Sequence, residues 1–126
     1  MTNTKTSMRQ KIRQDLLDKR ITSLLPKGEA EQEQIHYIHA INPMDTYLEY
    51  LFYKATKDDY SGNKAHSKVH YIQIDIFSRG DFTKLQEALE QVLEEKGYIY
   101  EDEFDGYEED TKLYTHKVRV SYKEIL

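Results

Sequence analysis

Seven carboxylates crowd into ten residues near the end of the chain, "EDEFDGYEED": Glu101, Asp102, Glu103, Asp105, Glu108, Glu109 and Asp110. Five histidines are scattered elsewhere. Acids in pairs can do acid–base work, and acids in sets can hold calcium. A calcium loop, however, has a fixed order of oxygen ligands around a central glycine with a terminal glutamate, and this run lacks that order. Catalytic carboxylates stand isolated in pockets that shift their pKa; so dense a run is solvated. Its plain reading is a charged hairpin tip. Its functional reading is an electronegative surface turned toward a partner or a channel.

The histidines give no ligand set. His36 and His39 are three apart in a stretch, "IHYIHAINP", that alternates like a strand, so their side chains point to opposite faces. His70 and His116 each fall on the apolar face of a strand, where a histidine serves as a hydrogen-bonded residue at the core's edge. No metal site, cofactor or catalytic residue is expected. "SRGDF" has one glycine, Gly80, where phosphate loops need several, and Asp81 behind it would repel a phosphate. Ser78 lacks the flanking glycines of a nucleophile elbow. The segment reads as a connector between strand and helix.

Bulk properties narrow the class. The chain has 126 residues, enough for one domain, with 33% charged residues, a net charge of -5 and no cysteine. Disulfides, thiolate metal sites and cysteine catalysis are excluded. The acidic balance argues against sequence-independent binding to nucleic-acid phosphates, which needs clustered Lys and Arg. It permits a passage through which nucleic acid slides without sticking. No segment approaches the ~20 apolar residues of a membrane helix, and the N-terminus lacks a signal-peptide core; we read the chain as soluble, made in the cytoplasm, with no membrane partner. Eleven tyrosines suit either an ordinary sheet or half-buried interfaces.

The elements that position these residues follow from periodicity. Met8, Ile12, Leu16, Leu17, Ile21, Leu24 and Leu25 recur at three and four, predicting one amphipathic helix from Thr6 to Leu25, ended by Pro26 and Gly28. Ile35 to Pro43 is expected as a strand. "DTYLEYLFYKATKDD" predicts a second, with Leu48, Tyr50 and Phe52 on one side and Tyr47, Leu51 and Tyr53 on the other. After a loop of about ten residues holding Gly62 and Asn63, the strand Val69–Phe77 puts Ile72, Ile74 and Ile76 on its core face. Tyr71, Gln73, Asp75 and Phe77 form its mixed face. That mixed face calls for cover, by the N-terminal helix or another subunit. A helix capped by Asp81 carries Phe82, Leu85, Leu89, Val92 and Leu93 and stops at Gly97. Strands Tyr98–Phe104 and Leu113–Tyr122 follow, the latter with Tyr114, His116, Val118, Val120 and Tyr122 on one face. The fold class is α+β: a mostly antiparallel four- to five-stranded sheet, an N-terminal helix and one packed helix after the central hairpin. Residues 1–34 form helix and linker, and 45–124 the core of one domain.

From Asp45 to Tyr122 the order of "DTYLEYLFY", a polar loop and "YIQIDIFSRGDFTKLQEALEQVLEEKGYIYEDEF" resembles the tail-completion proteins of long-tailed phages of Gram-positive bacteria, the tail terminators or tail-to-head joining proteins. Asp75, Ile76, Phe77, Ser78, Asp81, Leu85, Leu93, Gly97, Tyr98 and Tyr114 carry the match. The resemblance implies a subunit of a homo-oligomeric ring, commonly a hexamer, in the neck of a virion. Such a ring caps the tail tube, meets the tube protein and the head connector, and lets DNA pass. Tyr47, Tyr53, Tyr71, Asp75 and Phe77 are then expected at ring contacts. The acidic run, or the tip from Asp58 to Lys68, would face the channel or a neighbouring ring, although Lys57, Lys64 and Lys68 keep that tip from being uniformly acidic. The alternatives are a head-completion protein of the neck and a small non-enzymatic ligand-binding or regulatory module.

Overall fold

A computed structural model describes residues 7–27, 34–40 and 45–126. In chain order the elements are α1 (Met8–Leu16), α2 (Lys19–Thr22), β1 (Ile35–Tyr37), β2 (Thr46–Ser61), β3 (Lys64–Ser78), α3 (Thr83–Glu95), β4 (Ile99–Glu108) and β5 (Leu113–Ile125). The five strands form one sheet in the order β1-β2-β3-β5-β4. β1 runs parallel to β2, and every other neighbouring pair is antiparallel. The α+β class is as the sequence predicts.

One sheet face is apolar and covered. Leu48, Tyr50, Ile72, Ile74, Ile76, Val118 and Val120 form a single core with Met8, Ile12 and Leu16 of α1, Ile21 of α2, and Leu85, Leu89, Val92 and Leu93 of α3. The three isoleucines of β3 are fully buried, each contributing roughly 1.5–3 kcal/mol by leaving water. All helices lie on this face. The N-terminal helices are therefore not the cover for the mixed face; among the described residues no helix packs on it, and only the segment at Ala40 crosses it, its amide donating to Glu49 Oε2.

Several boundaries differ from expectation, each for a local reason. The expected N-terminal helix is two helices; its expected start at Thr6 and the Gly28 stop lie outside the described residues. Ser7 caps α1 in a reciprocal box with Gln10. Asp18 then leaves the helix (φ -54°, ψ 137°) because its carboxylate accepts from the Arg20 amide at 2.9 Å and holds the guanidinium through Nε and a terminal nitrogen, each at 3.0 Å. Aspartate competes with the helical backbone in this way. The strand from Ile35 ends at Tyr37, where Ile38 turns to positive φ; residues 41–44 of the expected strand lie outside the described part. The expected ten-residue loop is a two-residue turn. Gly62 (φ 55°) and Asn63 (φ 69°) make a tight hairpin, so β2 and β3 pair to Ser61↔Lys64.

The stop of α3 is as read from the sequence. Gly97 (φ 94°) donates to the Glu94 carbonyl and Tyr98 to that of Leu93, the paired closing bonds of a glycine-capped helix. The start is shifted by one residue. The boundary residue is Phe82, while Asp81 lies just before it and accepts from the Thr83 amide at 2.9 Å and hydroxyl at 2.6 Å. β3 and β4 are connected through α3 but are not neighbours, since β5 lies between them.

Candidate assembly surface

The uncovered sheet face is built from alternate residues of four strands. β2 contributes Tyr47, Glu49, Leu51 and, at a bulge between Phe52 and Lys54, Tyr53. β3 adds Tyr71, Gln73, Asp75 and Phe77; β5 adds Thr115, Lys117 and Arg119; β4 adds Asp102 and Phe104. The bulge places an extra side chain on this face, which is how Tyr53 comes within ring contact of Tyr71, at 6.1 Å between centroids.

Arg119 organises the middle. Its guanidinium lies 5.4 Å from the Tyr53 ring centre and 5.2 Å from that of Phe104. Nε donates to Gln73 Oε1 at 3.1 Å, and Gln73 Nε2 donates to Asp75 Oδ1 at 2.9 Å. A cation held between aromatic faces and tied into a polar chain is fixed in place while still reaching solvent. Burial raises the Asp75 carboxyl above its ordinary range, against the lowering pull of Gln73 and of Lys117 opposite it.

The expected contact residues separate into two groups. Tyr47 and Phe77 stack at 4.7 Å and form a small core of their own with Leu113; each is 7% exposed, and Asp75 is 6% exposed. Burial pushes the Tyr47 hydroxyl up to about 12. These three are shielded inside the protomer. Tyr53 is 42% exposed and Tyr71 half-buried, so the accessible part of the face centres on them.

The acidic run follows the predicted strand through Phe104, but the strand then extends past its expected end. Glu101 to Glu108 lie in β4, the free edge of the sheet, and the turn begins only at Glu109 and Asp110. The strand continues because β5 offers partners as far as Leu113, which pairs with Glu108. Every residue of β4 is exposed. A charged edge discourages unplanned strand pairing. Along it Ile99, Tyr100, Phe104 and Tyr107 remain exposed, with Tyr114 beside them. Phe104 and Arg119 were not singled out from sequence. Tyr114 was expected on the covered face and shares its parity, but it is half exposed and packs on Tyr107 at 5.0 Å. The hairpin tip from Asp58 to Lys68 is a β2–β3 ribbon, exposed at its turn, whose Asp59 binds Lys123 and the buried Ser67.

The histidines share no common site. His36 is buried against Tyr47 and Gln34, His39 is exposed, and His70 meets the Glu124 carboxylate at 2.9 Å. Among the described residues no helix is long and apolar enough to cross a membrane.

No protein-family profile matches this chain, and no curated protein matches it in sequence. A solved structure does match in shape: a chain described as "Virion of native gene transfer agent (GTA) particle", with TM-score 0.53 and 13% identity, covering 92% of this chain and 91% of that one. The fold is one that a virion chain uses. At that identity the likeness speaks for the fold, end to end, and for no particular residue.

Proposed function

We propose that this protein is a structural subunit of a phage-like virion that acts by assembly geometry and not by catalysis. More narrowly, it is a tail terminator: a ring, hexameric in the closest-fitting version of this reading, that closes the tail tube at the neck and joins it to the head connector while DNA passes through. The observation that carries the reading is the fold shared over nine-tenths of both chains with a virion chain. The order of motifs from Asp45 to Tyr122 supports the narrower form.

The uncovered sheet face supplies a contact surface of the right kind. Aromatics and arginine concentrate at protein interfaces, and Tyr53, Tyr71, Phe104 and Arg119 are held together there. Copies joined head to tail close into a ring only when the rotation between them divides a full turn. The acidic edge strand, Glu101 to Glu108, with Glu109 and Asp110, is assigned to the lumen or to a neighbouring ring, where like charge keeps DNA moving.

Light scattering and negative-stain microscopy of the purified chain, alone and with polymerising tail tubes, test this. Rings, or a monomer that becomes a ring at tube ends and halts growth, are expected. A monomer that ignores tubes overturns the terminator reading; a ring that binds only the head connector replaces it with the head-completion role.

A further inference from the structure

The groove between α3 and β4, about 400 Å³ in volume, has Glu90 on its helical wall and Glu103 on its strand wall. At the foot of this pair lies His116 of β5, 3% exposed. Ligand atoms of Glu90, Glu103 and His116 all fall within 4.8 Å of one another. We propose that these three side chains form a site for a single divalent transition-metal ion, Zn²⁺ being the ion the donors suit best.

The decisive feature is the imidazole. Its Nδ1 lies 2.6 Å from Asp105 Oδ1. A neutral ring that donates from Nδ1 carries its lone pair on Nε2. That nitrogen is buried and has no hydrogen-bond partner; Glu103 Oε2 is 3.0 Å away but out of hydrogen-bonding alignment. A buried polar atom left unpaired costs the full penalty of its desolvation. Bringing carboxylates up to it adds repulsion unless a positive charge sits among them. Glu90, Glu103 and Asp105 have no lysine or arginine ion pair among the described residues; Glu103 and Asp105 both pair with His116 instead.

A metal ion resolves all of this at once. Nε2 becomes a ligand, and the two glutamates supply oxygen donors and neutralise the ion. Asp105 serves as the outer carboxylate that fixes the tautomer and orientation of a ligating histidine. Phe82, stacked on the ring at 5.7 Å, holds its plane. One nitrogen and two carboxylates leave a fourth position for water, as in mixed N/O zinc sites. Calcium and magnesium are disfavoured by the nitrogen donor and the small number of oxygens. Tetrahedral ligands at zinc bond lengths are about 3.3 Å apart, so the exposed Glu90 closes inward on binding. The ion would then tie the edge strand to α3. This site does not depend on the assembly role.

Isothermal titration of the full chain, dialysed against chelator, with zinc chloride tests the site, alongside Glu90→Gln and Glu103→Gln. Both substitutions keep side-chain size at exposed positions, so folding is retained. The expected result is one equivalent of zinc and a Tm rise on binding, with affinity at least tenfold weaker in each variant. His66→Gln, at an exposed histidine elsewhere, should leave affinity unchanged. No saturable uptake would overturn the proposal and leave His116 held between Asp105 and Glu103 without an ion. Uptake of equal affinity in the glutamine variants would overturn it by locating zinc elsewhere.

Discussion

Asp75 is a carboxyl on the sheet face opposite the helices, yet it is almost fully buried. Burial raises its pKa above the ordinary 3.8, and Glu49 across the strand pair pushes the same way. The folded state thus prefers the protonated form more than the unfolded chain does. Stability tied to that proton is complete below the unfolded pKa and is lost as pH rises through the folded one. Asp75→Asn keeps an acceptor for Gln73 and cannot ionise. Its melting temperature should sit level with or below the parent at about pH 3 and gain on it toward about pH 7, where an unperturbed carboxyl is fully charged. Thermal melts across that range decide the matter; a parent that gains on the variant as pH rises would mean that Lys117 and Arg119 hold the carboxylate ionised. Sequence placed Asp75 on the mixed face but could not show its charge environment. Glu49, Lys117 and Arg119 come from two other strands, and their registers with β3 are set by pairing, not by local pattern.

At the scale of elements, α3 was legible nearly to the residue because three independent signals coincide: an acidic start, a stripe at helical spacing and a glycine stop. Leu89 lies in the centre of that stripe with no exposure, facing the isoleucines of β3 within one core. Leu89→Ala should cost about 2–5 kcal/mol through lost transfer and the cavity left behind. Leu89→Asp adds an unpaired buried charge and should abolish cooperative folding, seen as loss of the circular-dichroism melt. A sharp melt close to the parent's would show that α3 does not anchor the core. The other elements were harder to read for identifiable reasons. A continuous apolar stripe concealed the Asp18 break, since the two short helices bury the same face. The far ends of β2 and β3 carry no hydrophobic alternation, so the residues from Asp58 to Ser61 looked like loop although the Gly62–Asn63 turn pairs them as strand. Asp105 to Glu108, the last residues of β4, looked like an acidic turn for the same reason.

The described residues pack their helices on one side of the sheet, and that asymmetry is the part least visible in the sequence. Periodicity gave each strand two faces but not the order of strands, and β5 slips between β3 and β4 only because the long hairpin and the α3 crossover leave that position open. The open face is what an assembly would use, and Tyr53 is its most direct probe. It stands on the bulge at 42% exposure, touching Tyr71 and Arg119. Within the protomer Tyr53→Ala removes a half-exposed ring and one cation–π contact, a loss of about 1 kcal/mol, or roughly 4 °C in Tm for a domain near this size. Across an interface the same ring would be desolvated at a central position, where truncation costs 2 kcal/mol or more, so the association constant should fall at least tenfold. Sedimentation equilibrium beside a thermal melt separates the two effects. A protomer that melts within a few degrees of the parent while its rings dissociate places Tyr53 between copies. Intact rings with an unchanged association constant would remove this face from the assembly and shift the contact to the edge strand β4, whose exposed Ile99, Tyr100 and Tyr107 would then carry it.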